Sequence, residues 1–341
     1  MTGSAGFVGS AVCRQLEREG DEVVRVDVML PQAHGASDAP PGTHRLDVRD
    51  AESWTRLLDG VDVVCHQAAL VGAGVRVSDL PLYAAHNDLG TAALLSAMHV
   101  VGVDRLVLAS SMVVYGEGSY SCSEHGPQAP PPRRIADLEA GRFDSCCPLC
   151  DRPLAWVLVD EDARLEPRSS YAASKVAQEH YAAAWVRQAG GAATALRYHN
   201  IYGPGMPRDT PYSGVAAMFR SSLERGEPPQ VYEDGAQMRD FVHVDDVARA
   251  NVLALRAVLG ADGFATYNVC SGRPISIAEV AERIAAGAAR PQQAEVTGAF
   301  RPGDVRHVVA SPRRAAEDLG FVAAVAPEDG LAEFATAPLR R

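Results

Sequence analysis

Thr2-Gly3-Ser4-Ala5-Gly6-Phe7-Val8-Gly9 places glycines at positions one, four and seven and runs into Ser10 to Gly20, where apolar residues recur at 12, 13 and 16. Glycines let a backbone turn sharply and approach a pyrophosphate closely, and the helix that follows offers free N–H groups and the positive end of its dipole. Working outward, Glu22 to Asp27 reads as a strand that ends in an acid 18 residues after Gly9. A carboxylate there accepts hydrogen bonds from both ribose hydroxyls and repels a 2′-phosphate, which favours NAD over NADP. Gly3, Gly6, Phe7, Val8, Gly9 and Asp27 are therefore the first expected cofactor contacts.

Such a loop should follow a buried apolar strand, yet only Met1 and Thr2 precede it. The first and most central strand is expected to be missing, as it would be if a GTG codon inside it had been read as a start. A sheet without it should be less stable, because its neighbours lose a hydrogen-bonding partner.

Beyond Asp27 strand and helix alternate. Arg45-Leu46-Asp47-Val48 reads as a short strand whose Asp47 and Val48 lie where an adenine is contacted, and Ala51 to Leu58 as a helix. Val61 to Ala69 is a buried strand with Gln67, Ala68 and Ala69 at its carboxyl end, where ligands sit in open parallel sheets. Asn87, a further expected cofactor contact, opens another helix, and Arg105 to Ser111 is the next strand, delivering the Ser111 hydroxyl to the same sheet edge. The fold class is doubly wound α/β with a parallel sheet.

Composition narrows the function. With 32 basic and 43 acidic residues the formal charge is −11, which argues against a nucleic-acid partner. No run of about 18 apolar residues implies a membrane span, and the sequence shows no signal peptide, so a cytoplasmic location is expected. Seven cysteines at irregular spacing then read as thiols or metal ligands rather than disulfides.

Tyr171-Ala172-Ala173-Ser174-Lys175 opens an alanine-rich run that closes at Gly190-Gly191. On a helix from Tyr171 to Gln188, residues four apart share a face, so phenol and ammonium point into one space. A phenol titrates near ~10 and becomes a useful base only if a nearby cation favours the phenolate, a role for which Lys175 is placed.

Together, the Gly3/Gly6/Gly9 loop, Asp27, His66-Gln67-Ala68-Ala69, Ser111 four before Tyr115, and Tyr171-x-x-x-Lys175 resemble the extended short-chain dehydrogenase/reductase superfamily of sugar-nucleotide epimerases and dehydratases. The likeness runs from residue 2 to about 330 and includes Leu196 to Pro204, Arg239 to Asp246, Tyr267-Asn268-Val269 and Arg301-Pro302-Gly303-Asp304. It implies a Rossmann-like fold with a smaller C-terminal substrate domain. Residues 1–198, with 238–262 returning, would bind NAD, and 199–237 with 263–335 would bind the sugar nucleotide. It also implies Ser111, Tyr171 and Lys175 as the catalytic set, with Tyr171 and Lys175 also meeting the cofactor and the lysine holding the nicotinamide ribose, and Asn200, Arg239 and Arg301, with Ser111 and Met112, as substrate contacts. Guanidinium forks suit a diphosphate. A homodimer through paired helices is implied by the resemblance alone.

Where the dehydratases of that family carry Asp-Glu after the serine, this chain has Met112-Val113, and neither side chain can move a proton. The expected chemistry is a 4-epimerisation through a transient 4-keto sugar. The details of residues 117–165 and of Gly203 to Pro207 through Pro211-Tyr212-Ser213 to Ala216 are similar to actinobacterial dTDP-L-rhamnose 4-epimerases. Alternatives are a 4-ketoreductase, a UDP-hexose or UDP-glucuronate 4-epimerase, or a non-catalytic NAD-binding protein. His199 departs from the phenylalanine usual in the family.

Within residues 117–165, Cys122-x-x-His125 and Cys147-x-x-Cys150 offer four ligands of the kind that zinc takes tetrahedrally, with Cys146 to spare. A closed four-ligand set points to a structural zinc, which would hold a long loop otherwise without a core. Cys13, Cys65 and Cys270 lie in apolar patterns and read as core.

Overall fold

A computed structural model describes all residues except 36, 37, 73, 75, 209–213 and 341, together with the side chain of residue 32. The Pro211-Tyr212-Ser213 part of the resemblance therefore lies outside the described residues. Four parallel strands stand side by side in the order Gly263–Val269, Ala192–Tyr198, Arg105–Ser111, Val64–His66. Thr2 bridges in parallel to His66 on one side and to Val26 on the other, which joins the sheet to Arg25–Asp27 and Thr43–Arg45. Its N–H donates to the Cys65 carbonyl, and its own carbonyl accepts from Gln67. Residues 1 and 2 thus stand in the place where the sequence leads one to expect no strand at all.

Alternation along the central strands decides which helices cover which face. Leu106 and Leu108, with Ala193 and Ala195, pack against residues of Val48–Leu58, Gly90–Val101 and Ser170–Ala189. Val107 and Ala109, with Leu196 and Tyr198, pack instead against residues of Phe7–Arg18 and Val244–Leu259. Both faces are covered, as the doubly wound reading requires. The helix from Phe7 starts three residues earlier than the periodicity suggests, with Gly6 as an extended N-cap. The helix Ser170–Ala189 ends at Gly190, whose φ is 80°. The expected helix after residue 50 is a 3₁₀ segment, Val48–Leu58, broken by non-helical dihedrals at Asp50 and Trp54. Cys13, Cys65 and Cys270 are buried, as their apolar surroundings suggest.

Residues 263–269 require a correction. The sequence groups them with the substrate side, but they form the edge strand of the main sheet, in parallel register with 192–198 from Gly263↔Ala192 to Val269↔Tyr198. A second sheet, Pro274–Ser276, Met238–His243 and Asn200–Tyr202, has its own core with Phe219, Ile284 and Phe334.

His66, in the strand beside Thr2, is fully buried between the Thr2 hydroxyl at 2.7 Å and the Thr91 hydroxyl at 3.0 Å. Burial first, then the charge of Lys175, pushes it down to about 3 from 6.5. Between these values the unfolded chain binds the proton and the folded one does not, so stability falls as pH drops from 6.5 towards 3, by up to about 1.4 kcal/mol per unit. Urea midpoints at pH 7 and pH 5 should differ less in His66→Gln than in the unsubstituted protein. Equal differences would contradict this account.

Candidate active site

The carboxyl ends of the parallel strands open on a cleft of about 1660 Å³. A single drug-sized ligand takes roughly 300–1,000 Å³, so the space suits two ligands end to end. Gly3, Gly6, Phe7, Val8, Gly9, Asp27, Asp47, Val48, Gln67, Ala68 and Ala69 line one part, Ser111, Met112, Tyr171 and Lys175 the middle, and Asn200, Arg239 and Arg301 the other.

Two glycines of the loop, Gly3 and Gly9, have a steric reason. Gly3 has φ +64°, and a Cβ there would stand 2.6 Å from the Ala68 nitrogen. At Gly9 a Cβ would stand 2.0 Å from the Gly3 carbonyl oxygen, so only glycine lets the helix approach the turn. No side chain caps this helix start, which leaves its first N–H groups for a ligand. Asp27 accepts from the N–H groups of Ala5 at 3.0 Å and Met29 at 2.8 Å, and His34 Nε2 lies 3.3 Å away. Burial opposes its charge, but His34 and the two N–H groups outweigh that and hold its carboxyl below the usual value. A fixed carboxylate suits a ribose diol. The Asp47 carboxylate is taken up by Arg49, through backbone and guanidinium.

Two elements meet at the middle. Ser169 caps the helix Ser170–Ala189 by accepting from Ala172 N–H, and Tyr171 emerges in its first turn. One turn on, Lys175 is buried and its Nζ donates to the Ala109 carbonyl at 2.9 Å, two residues before Ser111 on the neighbouring strand. Burial pushes Lys175 down to about 7. It also pushes Tyr171 up to about 12, while the Ser111 hydroxyl acts the other way. The phenol is therefore pushed up rather than down, by burial, and Lys175 Nζ lies 5.9 Å from its ring centroid. Met112 and Val113 line the cleft in the turn that follows Ser111 and add no titratable group.

Asn87 is not part of the cleft lining. Its side chain is fully buried, accepts from Leu70 N–H, and donates to the Leu70 carbonyl and to Ser174 Oγ, so it fixes the cleft wall to the Tyr171 helix from behind. At the far end, Arg239 lines the cleft, and its guanidinium is held by donating to three carbonyls, those of Met238, Val305 and Arg306. Arg301 lies over the Tyr232 ring, and Asn200 donates to the Asp240 carbonyl. His199 is buried and pushed down to about 3, chiefly by desolvation.

Sequence reading misses Gly74. Its φ is +62°, its carbonyl accepts from both the N–H and the hydroxyl of Ser170, and a Cβ would stand 2.5 Å from the Tyr171 nitrogen. It also misses Tyr83, whose ring lies 5.8 Å from that of Tyr171.

In the insertion, strands Ser119–Cys122, Gly126–Gln128 and Ala155–Val157 form a small antiparallel sheet. The ligand atoms of Cys122, His125, Cys147 and Cys150 all lie within 4.8 Å of one another. Cys122 Sγ stands 3.6 Å from His125 Nδ1 and 3.7 Å from Cys150 Sγ, and Cys147 Sγ stands 3.7 Å from His125 Nδ1. With Zn–S near 2.3 Å and Zn–N near 2.0–2.1 Å, the edges of a tetrahedron are about 3.5–3.8 Å, so the four side chains fit that ion. Cys146 is exposed and outside the group.

A dinucleotide-type glycine turn, an acid at the next strand end and a Ser/Tyr/Lys set at the sheet edge define an NAD-binding enzyme of the short-chain type. The chain belongs to the NAD dependent epimerase/dehydratase family, whose model matches residues 1–134 and 155–270. The stretch left between them carries Cys147 and Cys150. The chain is 34% identical to a dTDP-L-rhamnose 4-epimerase of Burkholderia thailandensis over 98% of its own length and 93% of that protein's. Its fold superposes on the NAD complex of Thermus thermophilus UDP-glucose 4-epimerase with a TM-score of 0.74 at 30% identity, covering 98% and 96% of the two chains. With a Streptomyces venezuelae dTDP-glucose 4,6-dehydratase with NAD bound, the TM-score is 0.76 at 26% identity and the coverage 98% and 94%.

Gly74→Ala should disturb the active site more than an ordinary strained glycine. Gly60→Ala, at φ +76° with nothing within 4 Å, should cost about 1–2 kcal/mol and leave turnover intact. Gly74→Ala should cost more and also depress turnover, because Tyr171 has to move. Thermal melts and initial rates on the pair check this, and normal turnover in Gly74→Ala would contradict it.

Proposed function

We propose that this protein interconverts C4 epimers of a nucleotide-linked hexose, with dTDP-L-rhamnose as the first substrate to test. The observation that carries the reading is the pairing of an intact Ser111/Tyr171/Lys175 set with the apolar Met112-Val113 beside it. NAD, held by the glycine turn and Asp27, would supply the hydride acceptor and donor at C4; with the 4-keto sugar turned over between the two transfers, C4 would be inverted with no net reduction. Tyr171 removes the proton of the 4-hydroxyl and later returns it, and Ser111 orients that oxygen. Lys175 keeps the Tyr171 helix at its distance from the Ser111 strand and supplies positive charge near the phenol. Dehydration or decarboxylation needs a further acid or base at the ring, and Met112 and Val113 provide none. The same fold in a 4,6-dehydratase makes this pair, rather than the fold, the deciding feature.

NAD is assigned to residues 1–198 with the helix and edge strand of 244–269; residues 238–243, which the sequence groups with them, lie in the second sheet, so the nucleotide sugar is assigned to 199–243 and 270–335, with Asn200, Arg239 and Arg301 near its diphosphate. Cys122, His125, Cys147 and Cys150 are assigned to a structural zinc. Leu82, Leu89, Val100 and Tyr181 are exposed on the segments before and along the helices Gly90–Val101 and Ser170–Ala189, and we assign this apolar surface to a homodimer contact. No described helix is long and apolar enough to cross a membrane, which is compatible with a cytoplasmic enzyme.

Incubation with NAD and either dTDP-L-rhamnose or UDP-glucose, followed by chromatography, tests the activity. The expected result is a C4-epimer equilibrium without accumulating NADH, and a loss of about 10²–10⁴-fold in rate in Tyr171→Phe. Accumulating NADH with a keto product would mean a dehydrogenase. NAD binding without any turnover would favour a binding protein.

Metal analysis of the purified protein should find about one zinc per chain, lost in Cys147→Ser. A metal-free protein with unchanged stability would overturn that assignment.

A further inference from the structure

The insertion grips the segment that shapes the substrate end of the cleft. At its root, Glu117 accepts from Arg306 N–H at 3.1 Å, and the Tyr120 hydroxyl accepts from His307 N–H at 3.1 Å. Gly118, at φ +76°, packs so closely that a Cβ would stand 2.7 Å from the His307 carbonyl oxygen. On the return side, Val159 N–H donates to the Val309 carbonyl and Ser311 N–H to the Val159 carbonyl. Between these roots Arg133 reaches out of the insertion. It binds both carboxylate oxygens of Glu233 at 2.8 and 3.0 Å and donates to the Asp304 carbonyl at 2.8 Å. Arg306, 1% exposed, closes the cluster by donating to Asp144 of the insertion and to Glu233 and Asp234.

The gripped backbone in turn fixes Arg239. Val308 N–H donates to the Met238 carbonyl, Arg239 bridges in parallel to Val308, and the Arg239 guanidinium donates to the carbonyls of Val305 and Arg306. Arg239, Arg301, Asp304, Val305 and Val308 all line the cleft. The contacts therefore run from the Cys/His group, which folds the insertion, through Tyr120, Arg133 and Asp144 to the backbone of 304–308 and to Arg239.

We propose that the insertion is a positioning device for the nucleotide diphosphate: Arg133, through Glu233 and the Asp304 carbonyl, holds the 301–308 segment in the place from which Arg239 and Arg301 bind it. This rests on the reading of the cleft as a nucleotide-sugar site. Among the described residues the side-chain hydrogen bonds of Arg133 and Arg306 reach no residue of the cofactor end, so this cluster governs substrate affinity and leaves cofactor affinity alone. Arg133 acts through other residues and does not meet the sugar.

The test is calorimetric titration of dTDP, UDP and NAD into the metal-loaded protein and three variants, with initial rates beside it. Arg133→Met should weaken diphosphate binding and raise KM by about 10- to 100-fold, with kcat changed little and NAD affinity unchanged. Arg133→Lys should rescue only in part, because an ammonium cannot make the two-pronged contact with Glu233. Tyr120→Phe removes one acceptor and leaves the ion pairs, so it should give a smaller shift of the same kind in a folded protein even if Arg133→Met proves too unstable to assay. Unchanged diphosphate affinity in folded variants, or equal loss of NAD and diphosphate binding, would overturn the proposal. If the unsubstituted protein bound neither dTDP nor UDP, the nucleotide-sugar reading itself would fail instead.

Discussion

A buried ammonium must be satisfied, and Lys175 finds its acceptor at the Ala109 carbonyl. That bond fixes the helix Ser170–Ala189 against the strand Arg105–Ser111 and so sets the spacing between Tyr171 and Ser111. Other polar contacts fix the same junction. Ser110 Oγ donates to Glu179, which also takes the fork of Arg197 from the next strand. Asn87 ties Ser174 to the cleft wall. These groups are buried and paired, so moving the helix relative to the strand would leave several polar groups stranded at once. The active site is rigid because its supports cannot be given up singly.

The parts of this structure that were legible in the sequence are those with a local cause. The Gly3/Gly6/Gly9 spacing, the apolar run of Arg105–Ser111 and the alanine-rich helix that starts at Tyr171 and closes at Gly190-Gly191 each follow from backbone sterics, burial or helix propensity within a few residues. The four metal-type ligands were legible from pair spacing, and the structure brings their atoms together. What stayed hidden depends on residues distant in the chain. Gly74 matters only because Tyr171 arrives 97 positions later and packs against it. Asn87 looks like a cofactor residue from its helix start, but its amide is spent on Leu70 and Ser174. Thr2 could replace a strand only because Val26 and His66 both present ladder groups to it. Likewise, the edge position of Gly263–Val269 is a pairing choice that its own sequence does not record. The phenol of Tyr171 is pushed up rather than down because burial, which a sequence does not show, dominates its surroundings.

The two ends of the cleft are built on different logic. The cofactor end uses glycines, helix N–H groups and one fixed carboxylate, all from the first half of the chain. The end assigned to the substrate carries the guanidinium groups of Arg239 and Arg301, the first of them held by the second sheet and by the carbonyls of Val305 and Arg306. Between them Met112 and Val113 add no titratable group, which leaves Tyr171 as the side chain to which the proposed mechanism gives the proton.

The central claim is that Tyr171 moves a proton on oxygen while the C4 hydrogen never reaches solvent. The most direct measurement uses substrate deuterated at C4, with the label followed by mass spectrometry and NMR in the epimerised product. Retention of deuterium at C4, with none appearing in water or in released cofactor, is the predicted result. Washout of the label into solvent would show that the site removes a carbon-bound proton, and would contradict the account.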